Sequence, residues 1–170
     1  LVDTIHAFGA KVIIQLNPSL GRQGSSKLSG KTPAAPSAIP CERSQESVLP
    51  KGIDTPQRLS RPTRIPRVLT VEEIQYMEEQ FPDSVELARE CGFDGVEIHA
   101  AHGYLIHQFL SPRSNKRNDF YGGNLENRMR FLKNIARNTR RRVGRDYCVG
   151  VRLSGDEHMP DGIHEDEFKI

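Results

Sequence analysis

Three short apolar runs alternate with segments that carry helical punctuation, and this alternation limits the possible folds more than any other feature. The first run, KVIIQL (residues 11–16), is β-branched and nearly all apolar, the pattern of a strand covered on both faces. The second, FDGVEIH, ends at His99, and the third, YCVGVRLS, reads as another buried strand with Arg152 near its C-terminal end. Between the first two lies LTVEEIQYMEEQFPDSVELARECG. Thr70 and Glu73 open it as a capping box and Gly92 closes it, while Pro82 is expected to kink or split the helix. GYLIHQFLS makes a short helix that stops before Pro112. Asn124 caps a longer one that Gly144 ends, with Leu125, Met129, Leu132 and Ile135 or Ala136 on one face. Ahead of the first strand, LVDTIHAFG reads as a helix end, with Val2, Ile5 and Phe8 on one face and Gly9 as the left-handed stop.

Repeated β–α–β order implies an α/β fold with a parallel sheet and right-handed crossovers. An open doubly wound sheet and a closed (β/α)8 barrel both satisfy it. Gln15, His99 with His102, and Arg152 fall at or just past the C-terminal ends of three successive strands, which in a barrel meet at one mouth. Residues 17–69 are rich in Ser, Pro, Gly and Arg without a repeat, so a lid or a partly disordered loop is expected there. The chain starts at Leu1 in mid-helix and stops at HEDEFKI as a helix begins, so a piece of a longer protein is expected.

Composition removes several functions. A formal charge of +2 gives no reason to expect a polyanion partner, and the basic run RNTRRRVGR suits the C-terminal end of a helix better than a nucleic-acid patch. Cys41, Cys91 and Cys148 are odd in number and far apart, which argues against a disulfide framework or a zinc knuckle and for a reducing cytoplasm. No apolar run approaches a membrane span and no signal peptide is visible. The expected partner is a small-molecule substrate, with a homo-oligomer left open.

His99, His102 and Tyr104 lie within six residues of one another. A metal site could draw on Glu97, His99 and His102, but His102 lies beyond the strand and no further ligand is close in sequence. Packing or capping would account for a single histidine. Acid–base chemistry uses more of the group. Paired imidazoles can grip a carbonyl oxygen and stabilise an enolate, and a tyrosine can protonate carbon. Arg152 supplies permanent positive charge, and Gln15 has a donor and an acceptor for the edge of a heterocycle.

The segment GFDGVEIHAAHGYLIHQFLSPRSNKRNDFYGGNLENRMRFL (residues 92–132), with VIIQL before it and VGVRLS after it, closely resembles the Old Yellow Enzyme family of FMN-dependent ene-reductases, the NADH:flavin oxidoreductases. The resemblance implies a partial (β/α)8 TIM barrel, about its third to fifth β/α units, with residues 1–170 as part of one FMN-binding domain. It implies that Gln15 and Arg152 bind the flavin, and that His99 and His102 hold the substrate's activating carbonyl or carboxylate. Tyr104 is implied as the proton donor, and NAD(P)H as the reductant for an activated C=C bond. DFYGG (residues 119–123) and the arginines of ENRMRF read as scaffold, with Arg128 and Arg130 in buried or loop-bracing ion pairs.

Two departures stand out. Many relatives have QLxHxGR where this chain has QLNPSLGR, one residue longer and without the histidine. In that respect it resembles the 2-enoate, 2,4-dienoyl-CoA and bile-acid enone reductases, whose longer chains often carry an iron–sulfur cluster; no cluster-type cysteine run is present in these residues. The first strands and the phosphate-binding segment that the resemblance implies are absent from these residues, so the fragment alone is expected to bind FMN poorly. The alternatives are a metal-dependent barrel hydrolase built on Glu97, His99 and His102, and a non-catalytic barrel remnant.

Overall fold

A computed structural model describes residues 1–24, 30–41 and 64–168. In chain order the elements are α1 (Val2–His6), β1 (Ile13–Leu16), a 3-10 turn (Gly21–Gln23), β2 (Ala34–Ala35), β3 (Arg67–Val68), α2 (Val71–Glu90), β4 (Gly95–Ala100), α3 (Leu105–Leu110), α4 (Leu125–Val143), β5 (Cys148–Leu153) and a final 3-10 turn (Glu165–Phe168). β1, β4 and β5 form a parallel sheet in that order, and β2 and β3 form a separate two-stranded parallel ribbon. The ribbon lies within the stretch read as a loop. Its strands are two residues each, too short to show a period of two.

The core lies on one side of the sheet. Val96, Ile98 and Ala100 of β4 pack there with Ile74, Phe81 and Val85 of α2, Phe109 of α3, and Phe131 and Ile135 of α4. The Phe109 and Phe131 rings meet at 4.6 Å between centroids. Each such side chain, fully buried, contributes about 1.5–3 kcal/mol relative to exposure. Because strand side chains alternate, Gly95, Glu97 and His99 project to the opposite face, and the register sets Gln15 beside Glu97 and Arg152 beside His99. That second face carries no helix among the described residues.

This one-sided cover corrects the reading of β1 and β5 as strands buried on both faces. In β1, Ile14 and Leu16 pack on the core while Ile13 is 50% exposed. In β5, Val151 and Leu153 are on the helix side by register with Ile98 and Ala100, yet both are exposed. Among the described residues β1 and β5 are the sheet's edges, each with a neighbour on one flank only. The face assigned to α1 also needs correcting: Val2 is buried, yet the helix stops at His6 and Phe8 lies in the following turn, 87% exposed. Gly9 has φ +73°, as its stop role requires.

α2 begins with the expected capping box and runs unbroken through Pro82. The ring removes the N–H that would bond to the carbonyl of Glu78. Asn138 of α4 fills the gap by donating its Nδ2–H to that carbonyl at 3.1 Å. The buried face of α4 is Arg128, Phe131, Ile135, Thr139 and Val143, rotated from the expected one of Leu125, Met129, Leu132 and Ile135 or Ala136. Arg128 can turn inward because it donates to the carbonyls of Leu110 and Gly123 and pairs with Glu167. Arg130 donates to the carbonyl of Phe120, so both arginines brace loops as expected. A Cβ on Gly122 would meet the carbonyl oxygen of Arg117 at 2.2 Å, which explains the glycine in DFYGG. No helix among the described residues is long and apolar enough to cross a membrane.

Candidate active site

The open face of the sheet gathers its polar side chains at the C-terminal ends of the strands. Glu97, on the central strand, accepts through one oxygen, Oε1, from Gln15 Nε2 at 2.5 Å and from Arg152 Nε at 2.8 Å. The Arg152 guanidinium, followed by the Gln15 amide, holds the Glu97 carboxyl below the usual carboxylate range. Gln15, polar in an apolar strand, thus has its partner. Two residues along β4, His99 is 4% exposed.

The turn after β4 brings the other two rings back over His99. His102 and Gly103 both have left-handed backbones, at φ +58° and +72°. Glycine adopts that region freely; histidine does so rarely. The turn is held from several sides. His102 N–H donates to Ser154 Oγ at 3.2 Å, and its carbonyl accepts from Gln23 Nε2 at 2.9 Å. Gly103 N–H donates to His107 Nδ1 at 2.6 Å, and its carbonyl accepts from Gln108 Nε2 at 2.6 Å. So held, the rings of His102 and Tyr104 lie 5.0 Å and 5.1 Å from that of His99, centroid to centroid. His102 is exposed, Tyr104 half-buried and His99 buried.

His99 Nδ1 is buried without a hydrogen-bond partner among the described residues. Burial, then the charges of His102 and Arg152, depress the His99 pKa, so its ring is neutral near pH 7 and offers one N–H. The five residues singled out from the sequence therefore meet on one face. Gln15 and Arg152 join through Glu97, and His99, His102 and Tyr104 join through ring contacts. Among the described residues no group of three or more His, Cys, Asp or Glu could hold a metal ion, and Glu97 turns to Gln15 and Arg152.

Sequence reasoning missed the residues beneath the turn. Gln108 is 1% exposed; besides Gly103 it donates to the carbonyl of Leu20 at 3.1 Å and accepts from Arg22 N–H at 3.0 Å. It thereby fastens QLNPSLGR to α3. A Cβ on Gly21 would fall 2.1 Å from Gln108 Oε1, so glycine is needed there. The available signal was the adjacent pair His107–Gln108 inside an otherwise apolar short helix.

The family model described as NADH:flavin oxidoreductase / NADH oxidase matches residues 1–170. The chain is 38% identical over 170 residues to an NADH oxidase of Thermoanaerobacter brockii, covering 99% of this chain and 23% of that protein. It is 37% identical over 174 residues to a cinnamate reductase of Clostridium sporogenes, covering 99% of this chain and 24% of that protein. The chain thus spans about a quarter of these relatives. An Old Yellow Enzyme homologue from Zymomonas mobilis superposes with a TM-score of 0.78 at 30% identity, over 99% of this chain and 44% of that one. The chain belongs to the NADH:flavin oxidoreductase / NADH oxidase family, and Old Yellow Enzyme homologues are its structural neighbours.

Proposed function

We propose that this chain supplies the third to fifth β/α units of a (β/α)8 barrel in an FMN-dependent oxidoreductase that reduces activated C=C bonds with electrons from NAD(P)H. The observation that carries the reading is the adjacency, on the uncovered sheet face, of a polar line and a ring cluster. Gln15, with a donor and an acceptor, and Arg152, a cation, fit the pyrimidine edge of a flavin, and Glu97 joins the two. When bound there, FMN supplies hydride transfer from NAD(P)H to the alkene.

The remaining chemistry belongs to side chains of this chain. His99, buried and neutral with one nitrogen unpartnered, and His102 beside it donate N–H bonds to the carbonyl or carboxylate oxygen of an enone or enoate. Those bonds strengthen as negative charge gathers on that oxygen, so they favour the transition state over the ground state. Tyr104, its ring edge-on to that of His99 at 5.1 Å, delivers its hydroxyl proton to the α-carbon.

Tyr104→Phe tests this assignment by rapid mixing in the FMN-loaded protein. The expected result is unchanged flavin reduction by NAD(P)H and alkene reduction slowed about 10²-fold or more, because the proton enters only the second half-reaction. Equal slowing of both halves would remove Tyr104 as the donor.

A further inference from the structure

Glu97 is the one member of the polar line without a role in the reading above. It is a carboxylate at the place where an electron-rich ring would be least welcome, yet the fold sets it between the two residues assigned to that ring. Its Oε1 accepts from Gln15 at 2.5 Å and from Arg152 at 2.8 Å. Stability does not explain it. The Glu97 side chain is 21% exposed and that of Arg152 51%, and a pair so accessible to water adds little to folding. It lies on the face without a helix, so it does not order the core either.

Its hydrogen bonds do have consequences for the neighbours. An ionised carboxylate only accepts, so the Gln15 amide must turn its NH2 group toward Glu97. The amide oxygen and one N–H are then left for another molecule, in a fixed orientation. Arg152 pairs through Nε, a single-donor contact that leaves its terminal NH2 groups for a further acceptor. The charge of Arg152 is meanwhile partly cancelled by a counter-charge within direct contact.

Resting on the flavin reading, we propose that Glu97 is a positioning residue: it orients Gln15 and Arg152 toward the ring and, as the counter-charge of Arg152, holds the flavin's reduction potential down. Removing that charge leaves Arg152 free to stabilise the added electrons more strongly.

The test is the two-electron midpoint potential of the FMN-loaded full-length protein, measured against a reference dye. The variants are Glu97→Gln, Glu97→Ala and Glu97→Asp. The two variants without charge should shift the reduced-to-oxidised ratio at fixed potential about tenfold toward reduced, about 30 mV for this couple. Either of them suffices if the other does not fold. Glu97→Asp, which keeps the charge, should stay near the wild-type ratio. A wild-type ratio in both uncharged variants overturns the proposal, as does an equal shift in Glu97→Asp. If the wild-type protein holds no FMN, the flavin reading falls and this role with it; if FMN binds and the potential does not respond, only the role of Glu97 falls.

Discussion

His107 lies beneath the turn that carries the two outer rings, 5% exposed, and its Nδ1 accepts the Gly103 N–H. The neutral ring must therefore carry its proton on Nε2, which faces Glu157 Oε1 at 3.6 Å. A second proton would have to enter at Nδ1, where Gly103 already donates. Burial lowers the His107 pKa, and the opposing pull of Glu157 does not reverse it; His99 is lowered as well. An unfolded histidine takes up a proton near 6.5, while these two resist it when folded. Unfolding therefore binds protons below that value, and stability present above it is lost as pH falls. His164, beside Asp156, is raised and acts in the opposite sense, but from a half-exposed pair that water screens. Thermal midpoints should drop between about pH 7.5 and about pH 5.5, with a shallower slope in His107→Gln. An unchanged slope in that variant would assign the protons to other groups.

At the scale of elements, α2 and α4 are joined by a repair. Pro82 leaves the Glu78 carbonyl without its helical donor, and Asn138 supplies one from the neighbouring helix. The Glu78 carboxylate takes Asn134 Nδ2 at 3.1 Å from the same helix, and burial raises its pKa. Asn138→Ala should cost about 1–3 kcal/mol, the penalty of an unpaired buried acceptor. Pro82→Ala restores the main-chain donor, so in that background Asn138→Ala should cost clearly less. Denaturant titration of the four proteins measures the coupling, and strictly additive effects would refute it. The capping box at Thr70 and the glycine stop at Gly144 were legible in the sequence because they are local chemistry. The continuity of α2 through Pro82 was not, because the donor that makes it tolerable lies on another helix. A buried or loop-bracing role for Arg128 was legible, but the rotation of α4 that it sets was not, because its acceptors lie in segments that only the fold brings near.

At the scale of the whole chain, the sheet among the described residues ends in two strands that each have one free flank. Ile13, Val151 and Leu153 are exposed along them. Unpaired strand edges with apolar side chains invite pairing with another copy. The 170-residue chain by itself should show concentration-dependent association in sedimentation velocity, and Val151→Lys should reduce it. Monomers at every concentration would show that these flanks are already protected. The parallel α/β order and the convergence of Gln15, His99 with His102, and Arg152 could be read from sequence, since strand-end position determines the latter; the folding of Tyr104 back over His99 depends on the turn after β4. Which face is covered could not be read, because apolar runs look alike whether one or two layers lie against them.

The turn at His102 and Gly103 is gripped entirely by its main chain: every brace ends on an N–H or a carbonyl of those two residues. What the rings do and what holds them in place are thus separable. Evolution, or an engineer, can exchange the groups presented at positions 102 and 104 while the supporting framework stays put. The left-handed backbone at His102 narrows the alphabet at that position to residues such as His, Asn, Asp and Gly. Variation in substrate range would then concentrate at position 104 and in the loops opposite, with position 102 drawing from a short list of polar side chains.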